Sequence, residues 1–273
     1  MILSDYHMHS SFSGDSHTDT EDMIKQSVAM GLKRICFTEH YDPLFPCYKE
    51  DEIGEFDLNV NSYMKYKKNF FEKSDLQNKI DVNFGIELGI YPKVYETGSK
   101  IIKDNDYDFV ICSSHTAAEI DPYYPEYWNG KTVIEGAKIY FEEILKNVSS
   151  FKDFDVYGHL DYCLRYIKSE PSDRDLANYR EIFEEIFRIL IAENKGIEIN
   201  SNGLRSPLKN FNPNREILAL YKEMGGEIIT FGSDAHSPEY IGYAQKEASE
   251  LLKSVGFKYH TNFKNRKPEF INL

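Results

Sequence analysis

The chain has no apolar run near the roughly 18 residues that a membrane-crossing helix needs, and no stretch reads as a secretory leader. No membrane partner is expected, and the expected location is the cytoplasm. Cysteine is scarce: Cys36, Cys47, Cys112 and Cys163 are the four, with no CxxC spacing. That argues against a disulfide framework and against a cysteine-built zinc ribbon. Cys36 and Cys112 lie in apolar strand-like runs and read as buried thiols. Basic charge is in deficit, with 32 Lys and Arg against 45 Asp and Glu, for a formal net charge of −13. Nucleic acids and anionic membranes both demand a basic face, so neither is expected as the main partner. An anionic small molecule stays possible if cations reverse the field inside a site. The chain also lacks a GxSxG elbow, a glycine-rich phosphate loop, a repeat, a low-complexity tract and a linker. One domain over residues 1–273 is expected.

Aromatic residues, by contrast, are plentiful: 20 Tyr and 18 Phe. Short apolar runs alternate with longer helical patterns. The runs lie at 2–7, 34–40, 82–89, 108–115, 154–161, 196–203 and 227–236. Helix candidates lie near 20–30, 58–78, 93–104, 131–149, 175–194, 213–224 and 239–254. In the fifth of these, Leu176, Tyr179, Phe183, Ile186, Phe187 and Leu190 recur at helical spacing. Gly31, Gly196 and Gly225 follow helix patterns where a left-handed residue is wanted, and Pro213 and Pro238 read as first-turn prolines. Strands alternating with helices imply parallel βαβ units. Seven units in one chain suit a distorted (β/α)7 TIM-like barrel with its active site at the C-terminal ends of the strands, and a doubly wound open sheet is the alternative. The tail from Gly256 to Leu273 is expected to be a surface extension that closes the fold.

Six of the eight histidines stand at or just past the ends of these runs: His7, His9, His40, His115, His159 and His236. Glu87 and Asp234 hold the same kind of position. His7 and His9 are two apart in an extended stretch and so project to one face. Asp15 follows in a Ser/Gly-rich loop that can bend back to the same point. Any one of these could be a structural residue with satisfied hydrogen bonds. Six imidazoles with three carboxylates on one barrel mouth need cations, and these are the donors that Zn²⁺, Fe²⁺ and Mn²⁺ take.

The segments HMH at 7–9, TEH at 38–40, GIE at 85–87, SSH at 113–115, GHLD at 158–161 and SDAH at 233–236 resemble the PHP (polymerase and histidinol phosphatase) family. The HxH pair alone is weak, because amidohydrolases share it; all six motifs together, in order over nearly the whole chain, are specific. The resemblance implies two to three divalent ions. One would take His7, His9, Glu87 and Asp234. A second would share Glu87 and add His115 and His159. The third would take Asp15, His40 and His236, with His17 as a substitute for Asp15. Activity is expected to depend on Glu87 and Asp234.

The chain's size, together with GHLDYCLRY and NSNGLRSP, resembles the single-domain phosphatases of that family. The implied reaction is hydrolysis of a small phosphomonoester, L-histidinol phosphate, by a metal-bridging hydroxide. A broader phosphoesterase acting on nucleotides is the alternative, and a non-catalytic metal-binding module or a C–N hydrolase would be a different class. Arg165 and Arg205 follow strand ends and are expected as phosphate clamps, against a surface salt bridge for each. The aromatic loop TAAEIDPYYPEYWNGK brings Tyr123 and Tyr124 as candidate pocket walls. Asp161 is a candidate for protonating the leaving alkoxide, for holding the substrate amine, or for supporting a metal-bound His. Glu39 beside His40 reads as such a support. The sequence leaves the oligomeric state open.

Overall fold

A computed structural model describes residues 1–46, 56–166 and 170–273, so Cys47 lies outside the described residues. Seven strands form one sheet in chain order: β1 (Ser4–Met8), β2 (Arg34–Tyr41), β3 (Asp81–Gly89), β4 (Val110–Ser113), β5 (Val156–Tyr157), β6 (Gly196–Asn200) and β7 (Ile229–Gly232). Every neighbouring pair is parallel. The ring closes just past the last strand, where Met8 pairs with Ala235, the Asp234 N–H donates to His7 O and the His9 N–H donates to Ala235 O. This is the distorted seven-stranded barrel, and closure excludes the open sheet.

The helices are α1 (Thr20–Ala29), α2 (Val60–Lys73), α3 (Tyr95–Lys103), the single turn α4 (Pro125–Trp128), α5 (Val133–Ser150), α6 (Arg180–Ala192), α7 (Arg215–Glu223) and α8 (Gln245–Val255). Local chemistry sets their starts. Thr132 and Glu135 form a reciprocal capping box on α5, and Asn214 caps α7 through the Glu216 and Ile217 N–H groups. Three local expectations are corrected here. Pro213 precedes the Asn214 cap instead of opening α7, through a cis Asn212–Pro213 bond. Pro238 opens a short 3-10 turn, and α8 begins only at Gln245. Gly196 already belongs to β6, and the left-handed residue after α6 is Asn194. Asn tolerates that conformation better than other residues with a Cβ.

Alternation along the strands separates two environments. Ile35, Phe37, Phe84, Ile86, Leu88, Val110, Ile197 and Ile199 point outward into the main core beneath the helices. Inward positions change character from one end of the barrel to the other. Tyr6, Cys36, Phe109, Ile111 and Val156 plug the N-terminal end together with Phe263. Further along the same inner faces come Glu87, Ser113, Glu198 and Asn200, all buried. The tail is a hairpin of β8 (Tyr259–Lys264) and β9 (Lys267–Asn272), and it closes the apolar end. Tyr6 donates to Phe263 O, Arg266 pairs with Asp155, and Arg34 pairs with Glu269.

Candidate metal centre

Glu87 stands at the centre of the polar end. It lies opposite His40 in the β2–β3 register and is 1% exposed. Five imidazoles approach its two oxygens, and they divide between them. His159 Nε2 lies 2.8 Å and His115 Nε2 3.2 Å from Oε1. His40 Nδ1 lies 3.0 Å, His7 Nε2 3.1 Å and His9 Nε2 3.6 Å from Oε2. A carboxylate that presents each oxygen to a different imidazole group has the geometry to bridge two cations. Asp234 closes the first group: its Oδ1 is 3.6 Å from His9 and 3.9 Å from His7. Asp234 adopts a left-handed backbone, φ 54°, two residues past the end of β7, and this turn brings its carboxylate back over the barrel mouth.

A third group is more open. Asp15 Oδ2 lies 2.9 Å from His236 Nε2 and 3.6 Å from His40 Nε2. The His236 and Asp15 side chains are 28% and 33% exposed, where His7 and His9 are fully buried. The structure thus gathers all nine sequence-expected ligands. His17 is exposed and stands outside the cluster.

The donor set fits divalent cations on two observations. Nε2 of His7, His9 and His236 and Nδ1 of His40 are buried with no hydrogen-bond partner among the described residues, although carboxylate oxygens approach them. Five triads of ligand atoms lie within 4.8 Å of one another, among them His7–His9–Glu87, Glu87–His115–His159 and His9–His40–His236. Tetrahedral zinc and related ions take such nitrogens and oxygens. The electrostatics agree. Burial opposes charge on His7 and His40, yet the surrounding carboxylates hold both well above the ordinary histidine range. Burial likewise opposes charge on His115, and Asp42 and Glu87 push it up to about 10. His9 goes the other way, down to about 3, through burial and the positive field of His40 and His236.

Two buried carboxylates that sequence reasoning missed orient these ligands. Glu198 Oε1 accepts from His7 Nδ1 at 2.7 Å, and Oε2 accepts from the His159 N–H at 3.1 Å. Asp42 Oδ1 lies 2.6 Å from His115 Nδ1. Each needs space that only glycine leaves: a Cβ at Gly232 would strike the Glu198 carboxylate, and one at Gly89 would strike Asp42. Those glycines, in FGSDAH and IELG, were the available signal. Glu39 is held by Ser10 and Ser13, and Ser13 Oγ also lies 3.1 Å from His9 Nδ1, so its support reaches His9 through a hydroxyl.

The remaining expected residues divide. Arg165, Tyr123 and Tyr124 line a cavity of about 300 Å³ that opens on the ligand cluster. Arg165 is buried, with Nη1 3.7 Å from Asp234 Oδ2 and Nη2 donating to Asn212 Oδ1. Arg205 does not line this cavity. Its Nη2 donates to Ser233 O and Asp234 O, and its guanidinium stacks on Tyr240 at 4.1 Å, so it braces the turn that carries Asp234. Asp161 is also corrected. It is fully buried, its Oδ1 accepts from Asn212 Nδ2 at 2.5 Å and its Oδ2 from the Asn214 N–H. It touches neither the cavity nor His159, and it acts on Arg165 through Asn212.

A seven-stranded parallel barrel with this donor cluster at its C-terminal mouth defines a metal-binding α/β-barrel enzyme. The PHP domain profile matches residues 5–202, and the chain belongs to the PHP family. It is 32% identical to the histidinol-phosphatase of Lactococcus lactis over 264 residues, covering 96% of this chain and 95% of that one. A probable histidinol-phosphatase of Thermotoga maritima is 30% identical, over 93% of each chain. The crystal structure of the L. lactis histidinol phosphate phosphatase, complexed with zinc, L-histidinol and phosphate, superposes with a TM-score of 0.84 at 31% identity, over 98% of both chains. A putative histidinol phosphatase of Listeria monocytogenes, 18% identical, shares the fold with a TM-score of 0.78, covering 89% of this chain and 99% of that one. Among the described residues no helix is long and apolar enough to cross a membrane.

Proposed function

We propose that the protein hydrolyses L-histidinol phosphate to L-histidinol and phosphate, with two to three divalent cations, zinc, manganese or iron, held at the barrel mouth. The observation that carries this is the division of Glu87: one oxygen faces His115 and His159, the other His7, His9 and His40. Asp234 would complete the first cation's set, and Asp15 with His40 and His236 would hold the third. Divalent cations bound there lower the pKa of a water towards neutrality and neutralise phosphoryl charge.

The chain's own residues do the rest. Glu198 holds the proton on His7 Nδ1, which turns the lone pair of Nε2 towards Glu87. Asp42 does the same for His115. Arg165 presents a fixed positive charge beside Asp234, suited to a phosphoryl oxygen, and Asn212 and Asp161 fix its orientation. Tyr123, Tyr124, Tyr162 and Tyr166 give the cavity aromatic walls suited to an imidazole ring. A cavity of about 300 Å³ is of a size that suits a small ester.

The test is release of phosphate by the zinc- or manganese-loaded enzyme. Histidinol phosphate should be cleaved far faster than nucleotides or p-nitrophenyl phosphate. Glu87→Ala and Asp234→Ala should abolish the activity. Equal rates on all these esters would refute the assignment and leave a broad phosphomonoesterase.

A further inference from the structure

Five carboxylates line the cavity: Asp15, Asp42, Glu87, Asp121 and Asp234. Four of them contact the histidine cluster. Asp121 does not. It is 8% exposed, its Oδ1 accepts from the Tyr123 N–H at 2.8 Å, and no Lys, Arg or His among the described residues forms an ion pair with it. Hydrogen bonds within the loop hold it there. Tyr124 N–H donates to Asp121 O, Trp128 Nε1–H donates to Pro122 O, and Ala117 and Ile120 pair across the preceding turn. The two cations whose field reaches it, His115 and Arg165, are committed elsewhere: His115 contacts Asp42 and Glu87, and Arg165 contacts Asp234 and Asn212 and stacks on Tyr162 at 5.0 Å. The cavity therefore offers both signs of charge. Its lining combines Arg165, the ligand cluster, tyrosine rings and one buried carboxylate that pairs with no cation among the described residues.

A buried carboxylate without a cation is costly, and one facing a ligand cavity is completed by a cationic ligand. We infer that Asp121 is a specificity-determining residue that receives the ammonium group of an amino-alcohol phosphate. This inference rests on the phosphomonoesterase reading above and names the substrate's second anchor. It transfers to Asp121 the amine-holding role that Asp161, enclosed by Asn212 and Asn214, does not reach. Phosphate esters that lack a cationic group would leave Asp121 desolvated and unpaired, and so be rejected.

The experiment compares Asp121→Asn with the unaltered metal-loaded enzyme on two ester pairs. The first is histidinol phosphate and the same ester without its amine, and the second is a 2-aminoalkyl phosphate and its alkyl counterpart. The unaltered enzyme should favour the amine-bearing member of each pair. Asp121→Asn should lose roughly 30-fold in kcat/KM on the amine-bearing members, as expected for one buried charge-assisted hydrogen bond. Its rate on the amine-free members should hold or rise, because the charge that rejects them is gone, and this also shows that the variant is folded. Equal losses on both members, or no amine preference in the unaltered enzyme, would overturn the inference. Failure of the histidinol reading would show separately, as no preference for histidinol phosphate over the 2-aminoalkyl ester while the amine effect persists.

Discussion

Replacing Glu198 with Gln changes one oxygen to an NH₂ group and almost nothing in shape. Three donors converge on this carboxylate: His7 Nδ1 at 2.7 Å, the His159 N–H at 3.1 Å and Asn200 Nδ2 at 3.2 Å. The site demands an acceptor-only group, and a glutamine must aim an N–H at one of these donors whichever way it is flipped. If the amide nitrogen faces His7, the proton moves to Nε2, and the ligand lone pair turns away from Glu87. If it faces His159, a buried backbone N–H loses its partner. The first arrangement weakens a metal ligand, and loss of such an outer partner costs about 10- to 100-fold in metal affinity, or about 1.4–2.7 kcal/mol. The second leaves a buried donor unpaired, at about 1–3 kcal/mol. For a chain of this size that lowers the Tm by about 2–4 °C per kcal/mol. Zinc affinity by chelator competition and Tm with and without metal separate the two arrangements. The prediction is a loss of at least tenfold in affinity or a metal-independent drop of several degrees in Tm. A Glu198→Gln protein with affinity within twofold of the parent and an unchanged Tm would refute the orienting role.

The cation held by Asp15, His40 and His236 should leave first under a chelator, because His236 and Asp15 are about a third exposed while His7, His9 and Glu87 are buried. Metal analysis along a chelator titration should show that loss as a separate early step, and simultaneous loss of all metal would contradict it. Burial raises the Asp121 carboxyl from 3.8 to about 6, so the folded protein binds this proton more tightly than the unfolded chain. Stability is therefore lost as pH rises through that interval, and Asp121→Asn should be more stable than the parent at pH 7 by at most about 3 kcal/mol, an advantage that vanishes below pH 4 in urea unfolding of the metal-free protein.

What could be read from the sequence follows the periodicity of the backbone. A parallel barrel sends every strand end to one face, so a histidine or carboxylate at a strand end is placed by its position in the chain alone. His40 and Glu87 show this directly, since they sit opposite each other in the β2–β3 register. The same rule says less about Arg205 and Asp161, which also follow strand ends. Strand position determines which end of the barrel a residue reaches, and loop conformation determines where a long side chain points. Arg205 found backbone carbonyls within reach, and Asp161 found Asn212 and the Asn214 N–H. Asp121 is hard to place from sequence for the opposite reason. It sits in a long aromatic loop with no periodicity, two residues before the Tyr123–Tyr124 pair.

The outer carboxylates reveal a further regularity. Glu198 lies on β6 and Asp42 just after β2, and neither sits in a motif with a histidine it serves. Each fills the space beside a glycine on a neighbouring strand: Gly232 on β7 for Glu198 and Gly89 on β3 for Asp42. The Gly232 position would also bring a Cβ against His7. Glycine weakens a strand interior by giving up side-chain packing and chain entropy. That cost is borne where a carboxylate must fit between the strand and an imidazole. In this barrel, therefore, a strand-end glycine beside a ligand motif marks a second carboxylate one strand away, and the ligand motif and the glycine belong to one construction.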